Sequence, residues 1–231
     1  MKRGSFDFED RRQVAEVVGE CAKQGVQIVS VHGSLELDYK SRDEGVRATV
    51  IAQTLDTIRF AEHIGASVFV AHFGWAESAH RTVTELLRRT AGFGVRLSVE
   101  NMGGPVERYF AIVDEIASHR FGLTLDIGHA RDGRGVNPFT SKRAARRTLD
   151  HCGARIIHLH LHEVFDIADR PDHRPPLHPD GIMQWGEILA GIRALGYTGA
   201  LLFEDGRGEN PDEWLAMTGA FPDGFVRRYR R

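Results

Sequence analysis

The chain has 231 residues, 42% hydrophobic and 27% charged, with a formal net charge of −2. That length suits one globular domain with a full core, and the charge balance excludes a global positive field of the kind that holds nucleic acid. Two cysteines exclude a disulfide framework, and no run approaches the 18 apolar residues of a membrane span.

The opening MKRGSFDFEDRR lacks the apolar stretch of a secretory signal. A cytoplasmic protein in reducing surroundings is expected, without membrane or nucleic-acid partners. The basic ending, Arg227, Arg228, Tyr229, Arg230 and Arg231, reads as a solvated tail.

A helix is predicted from about Asp10, with Val14, Val17, Val18, Cys21 and Ala22 on one face and Gly25 as its stop. A strand then runs to His32. After a polar loop comes a long helix, with Val50, Ile51, Leu55, Ile58 and Ala61 on its inner stripe and Gly65 as its stop. The second strand reaches His72. A helix marked by Val83, Leu86 and Leu87 leads to the third strand and Glu100. Tyr109, Phe110, Ile112, Val113 and Ile116 mark the next helix, before the fourth strand and Asp126. A basic helix around Lys142 to Leu149 precedes the fifth strand, Arg155 to His160. The Pro- and Asp-rich stretch that follows excludes regular structure, and long loops in compact domains are usually functional. Trp185, Ile188, Leu189, Ile192 and Leu195 give the last helix, which Gly196 stops. The sixth strand ends at Glu204.

All six strand-like runs therefore end in a possible metal ligand: His32, His72, Glu100, Asp126, His160 and Glu204, with His129 three residues after Asp126. Short apolar runs read as strands buried on both faces. Intervening helices make them parallel. Parallel barrel strands present their C-terminal ends on one rim, so side chains distant in sequence converge there. The types are His, Glu and Asp, which is the composition of a metal site. Within HLHLHE, His158, His160 and His162 share one face by strand alternation. Depth then favours His160 at the rim, with His158 inside the packed layers and His162 already in the loop.

ENMGG (from Glu100), LDIGHA (from Leu125), HLHE and LLFED resemble the xylose-isomerase-like TIM-barrel superfamily from about Val26 to Glu204. That superfamily contains sugar isomerases and epimerases and the endonuclease IV type of DNA-repair enzyme. The resemblance implies an α/β fold, a (β/α) TIM barrel forming one domain over residues 1–231. In the family the run ending at His32 is the third strand. Only six strands can be counted, so the first two are expected to be missing. An N-terminally truncated chain is then expected, with an open barrel whose exposed edges favour a homo-oligomer.

By the same resemblance, Glu100, Asp126, His160 and Glu204 are the expected ligands of the central metal. His32 and His72, with Glu100, correspond to a second metal in the endonuclease branch, and His129 to a third. That branch completes its third site with a D-x-H pair. Here His173 follows Asp172 directly, and Pro171 stands where the Asp would be. Substrate contacts are expected from His32, His72, Asn101, His129 and Trp185. Gln184 occupies the acidic position usual before the Trp.

Mostly oxygen ligands suit Mn²⁺ or Mg²⁺, while the histidines pull toward Zn²⁺, Fe²⁺ or Co²⁺. A sugar with adjacent carbonyl and hydroxyl oxygens can chelate such an ion, which stabilises the enediolate formed when the neighbouring carbon loses a proton. Glu100 and Glu204 are the expected proton carriers. The expected function is a metal-dependent sugar or sugar phosphate isomerase or epimerase acting on a small carbohydrate. The alternatives are an endonuclease IV-like phosphodiester hydrolase and a catalytically inactive relative.

Overall fold

The computed structural model describes residues 9–166, 173–174 and 176–204. Asp172, Pro171 and the basic ending lie outside the described residues. The chain divides into two compact units, Met1–Val99 with Ile116–Phe121, and Glu100–Glu115 with Gly122–Arg231.

The first unit carries α1 (Arg11–Lys23), β1 (Ser30–His32), α2 (Glu44–His63), β2 (Val68–Ala71), α3 (Glu77–Arg89) and most of β3 (Arg96–Glu100). Asp10 caps α1 by accepting from the Arg12 and Gln13 backbone N–H groups. Asp43 caps α2 through the Val46 N–H at 2.8 Å. Each cap satisfies donors that a helix start leaves without partners. Gly25 and Gly65 follow these helices with φ of 65° and 78°, the left-handed conformation that a side chain disfavours. β1 pairs with β2 and β2 with β3, all parallel. Ile58, Phe69, Phe73, Val83, Leu86 and Leu97 are fully buried. Burial of such a side chain contributes about 1.5–3 kcal/mol.

The apolar face of α1 contains no buried residue, and Val17 is 42% exposed. Periodicity establishes that a helix has an apolar face; it does not supply an element to cover it.

The second unit carries α4 (Glu107–Ile116), β4 (Phe121–Asp126), α5 (Lys142–Cys152), β5 (Ile156–Leu161), α6 (Trp185–Ala194) and β6 (Leu201–Phe203), with single terminal residues of α4 and β4 counted in the other unit. β4 pairs with β5 and β5 with β6, again parallel. Leu123, Leu125, Leu159, Leu161, Ile188 and Ile192 form its interior. β4 and β5 are buried along their whole length, as strands covered on both faces should be.

Among the described residues the strands number six, and their order is that of the chain. The α/β architecture is the one expected, a parallel six-stranded sheet with intervening helices. Strand ends differ from expectation by single residues. β2 stops at Ala71, just before His72; β5 runs one residue past His160; β6 stops at Phe203, just before Glu204. No helix among the described residues is long and apolar enough to cross a membrane.

Candidate functional site

Register explains why distant residues meet. β4 and β5 align Asp126 with His160, and β5 and β6 align His160 with Leu202. Aligned residues of parallel strands point to the same face, and alternation returns that face two residues later. Asp126, His160 and Glu204 are therefore neighbours at the strand ends of the second unit. Glu100, the last residue of β3, reaches the same place.

His160 joins the group. Its Nδ1 lies 2.8 Å from Glu100 Oε1 and 3.1 Å from Glu204 Oε2. Burial alone would lower the imidazole pKa, but hydrogen bonds to Glu100 and Glu204 outweigh it and push the value up to about 10. Glu100, Asp126 and His160 are buried, and Glu204 is half-buried. Their ligand atoms lie within 4.8 Å of one another.

Three carboxylates against one imidazole leave a surplus of negative charge in a largely dry place, which a divalent cation neutralises. The residues fit such an ion by donor type, by number and by convergence.

Asp126 also belongs to a second group, with His129, His162 and His173. His129 Nδ1 is 2.9 Å from Asp126 Oδ2, and the His129 backbone N–H donates to Oδ1 at 2.8 Å. His162 Nε2 is 3.1 Å from Oδ1. Burial would raise the Asp126 carboxyl, but the hydrogen bonds from His129 and His162 prevail and hold it well below the usual carboxylate range. The His162 and His173 rings stack at 4.2 Å, and the His173 backbone N–H donates to His162 Nδ1 at 3.2 Å. The same Nδ1 also lies 3.1 Å from the Glu163 carbonyl.

Asn101 is buried, and both ends of its amide engage the Asp126 backbone. Tyr109 on α4 steadies the turn after it: its hydroxyl accepts from the Met102 N–H at 2.9 Å and lies 2.8 Å from the Met102 carbonyl. Trp185 is buried, with its indole N–H donating to Glu163 Oε2. In the first unit, exposed His32 and half-buried His72 pack edge to face, with ring centroids 5.1 Å apart.

Two further residues support the site. His162 was expected just past the strand, either beside the ligands or exposed; it does follow β5, and it is fully buried. Gly128 explains the accommodation, because any Cβ there would meet the His162 ring. Glu163 carried no expectation at all, and it is a buried carboxylate. Burial raises its pKa, and hydrogen bonds from Trp185, Met183 and Val164 offset part of the rise. The glycines at 128 and 181, each of which leaves room for one of these side chains, were the sequence signals.

Comparison with known proteins places this geometry. An uncharacterized protein of Methanocaldococcus jannaschii is 28% identical over 200 residues, 78% of this chain and 64% of that protein. The chain thus spans less than two thirds of that relative. A D-tagatose 3-epimerase-like protein superposes with a TM-score of 0.75 at 20% identity, covering 96% of this chain and 85% of its own. A D-psicose 3-epimerase from Clostridium cellulolyticum H10, solved with D-tagatose, gives a TM-score of 0.66 at 15% identity over 97% and 81%. At these identities the structural likenesses establish the fold. The xylose isomerase-like TIM barrel family matches residues 2–219, and the chain belongs to that family.

Proposed function

We propose that this chain is a divalent-metal-dependent sugar or sugar phosphate isomerase or epimerase. One observation carries the reading: Glu100 and Glu204 converge on a single nitrogen of His160, at 2.8 and 3.1 Å. Proton transfer at a carbon beside a carbonyl needs a carboxylate to take the proton and a group to return it. Two carboxylates from different strands can flank the reacting carbon. The likeness in fold to named sugar epimerases supports the same choice.

Glu100, Asp126, His160 and Glu204 would hold the ion. When bound, a divalent cation polarises the carbonyl of a hydroxyketone and stabilises the enediolate charge. The chain's own residues supply the rest. Glu204 is half-buried and so open to a substrate, and it is the better placed of the two to exchange a proton with one. Glu100, buried beside His160 Nδ1, would take or return the proton from the inner side. The hydrogen bonds from His129 and His162 keep Asp126 ionised. His129, itself half-buried, can donate to a substrate hydroxyl. His32, His72 and Trp185 remain proposed substrate contacts.

A second reading has its own support. Asp126 is shared between two groups of possible ligands. Paired ions bridged by one carboxylate suit hydrolysis of phosphate esters, where attacking and leaving oxygens are both stabilised.

Deuterium exchange tests the choice. Purified protein with added Mn²⁺ or Co²⁺ is incubated in D₂O with D-fructose, D-tagatose, D-psicose and their phosphates. The proposal expects mass gain at the carbon beside the carbonyl, abolished by EDTA. Absence of exchange with every sugar, together with metal-dependent nicking of abasic-site DNA, would replace it with the hydrolase reading.

A further inference from the structure

Glu163 has no part in the chemistry above, yet it is 1% exposed and heavily engaged. Its Oε1 accepts from the Met183 N–H at 2.9 Å and the Val164 N–H at 3.2 Å. Its Oε2 accepts from the Trp185 indole. Its own backbone N–H donates to the Arg174 carbonyl at 2.8 Å. A Cβ on Gly181 would meet this side chain, so the glycine leaves room for it. One carboxylate thus joins the end of β5, the far end of the following segment and the first residue of α6.

Two described residues of the segment it closes carry strained backbone. Three non-glycine residues among those described have positive φ, and two of them, His173 at 58° and Leu177 at 66°, lie between the clamped ends. Left-handed backbone is unfavourable for a side chain and persists only where surrounding contacts impose it. Charge-assisted hydrogen bonds to a buried carboxylate are among the stronger contacts available. His173 is the residue that benefits, since its ring stacks on His162 and lies 4.8 Å from that of His129, centroid to centroid.

We infer that Glu163 is a positioning residue, which clamps the segment between β5 and α6 so that His173 is held against His162 and His129. Taking the carboxylate–imidazole cluster as the working site, the clamp sets the wall of that site from one residue beyond its edge. Placement of His173 can be read without any turnover, so the clamp and the proposed reaction can fail separately.

The test uses the full chain, with Zn²⁺ added as a diamagnetic probe ion. Glu163→Gln keeps the shape but sets an amide against one of its donors. Imidazole ¹⁵N spectra are recorded, with His173 assigned from His173→Asn and the indole from Trp185→Phe. The clamp predicts that Glu163→Gln moves both the Trp185 indole and the His173 imidazole signals and leaves those of His32 and His72 in place. It also predicts that the His173 and Met183 backbone N–H groups exchange with solvent on the order of tenfold faster, as expected for local opening of one segment. Should Glu163→Gln fail to fold, Trp185→Phe removes a single donor and should shift His173 in the same direction by less. An indole signal that moves while His173 stays fixed, with its N–H exchanging at the wild-type rate, overturns the inference.

Discussion

Asn101 and Asp126 exchange a pair of hydrogen bonds: the Asn101 amide donates to the Asp126 carbonyl at 2.8 Å, and the Asp126 N–H donates to Asn101 Oδ1 at 2.9 Å. A side chain thereby acts as a backbone partner and fixes the residue whose carboxylate both ligand groups share. Asn101→Ala leaves a buried donor and a buried acceptor without partners, each worth about 1–3 kcal/mol. We expect a loss of roughly 2–4 kcal/mol in urea unfolding, with weaker ion binding in what remains folded. A variant within about 0.5 kcal/mol of wild type would mean that water replaces both bonds.

Gly128 and Gly133 make a matched pair. A Cβ at Gly128 would run into the His162 ring, whereas at Gly133 it meets nothing within 4 Å. Gly128→Ala should lower stability by about 1–3 kcal/mol, the range for overpacking a filled interior, and should release His162 from Asp126. Gly133→Ala should stay within about 0.5 kcal/mol of wild type. Thermal unfolding of the two variants side by side checks both statements.

Glu204→Gln removes a ligand charge and a proton carrier together. Turnover of any substrate identified by deuterium exchange should fall by roughly 10²–10⁴-fold or more. His178→Ala should leave it nearly unchanged. His178 accepts a local hydrogen bond from the Asp180 N–H, and its ring packs on Phe165. Equal losses in the two variants would contradict the assignment of Glu204.

Ion binding should also be visible in stability. A ligand present at a hundredfold its dissociation constant stabilises the folded state by about 2.7 kcal/mol. Added Mn²⁺ or Zn²⁺ should therefore raise the thermal midpoint by several degrees, and EDTA should reverse the gain. In Asp126→Asn the midpoint should no longer respond to either ion.

The strand ends were the legible part of the sequence. A buried parallel strand announces itself as a short apolar run, and a polar ligand type at its end is conspicuous because little else there is polar. Depth along the strand, rather than alternation, singled out His160, whose Nδ1 lies 2.8 Å from Glu100 Oε1 and 3.1 Å from Glu204 Oε2. Alternation put His162 on the same face as His160 but did not give its burial. β5 runs one residue further than expected, and the segment after it folds back to cover that ring. Burial of a residue just past a strand depends on where a distant segment returns, and no local pattern records that. Glu163 was hidden for a related reason. A Glu after a His reads as a solvated charge, and only the return of Met183 and Trp185 makes it a buried acceptor. The periodic stripe of α1 was plain in sequence, yet none of the helix's residues is buried.

Metal analysis by mass spectrometry, on protein purified without chelators and equilibrated with a mixture of Mn²⁺, Mg²⁺, Co²⁺ and Zn²⁺, tests the central claim most directly. A metal-dependent isomerase or epimerase built on Glu100, Asp126, His160 and Glu204 predicts one divalent ion per chain, absent from an Asp126→Asn, His160→Gln double variant. Retention of no ion by the wild-type protein, or of two or three Zn²⁺ per chain, would contradict it.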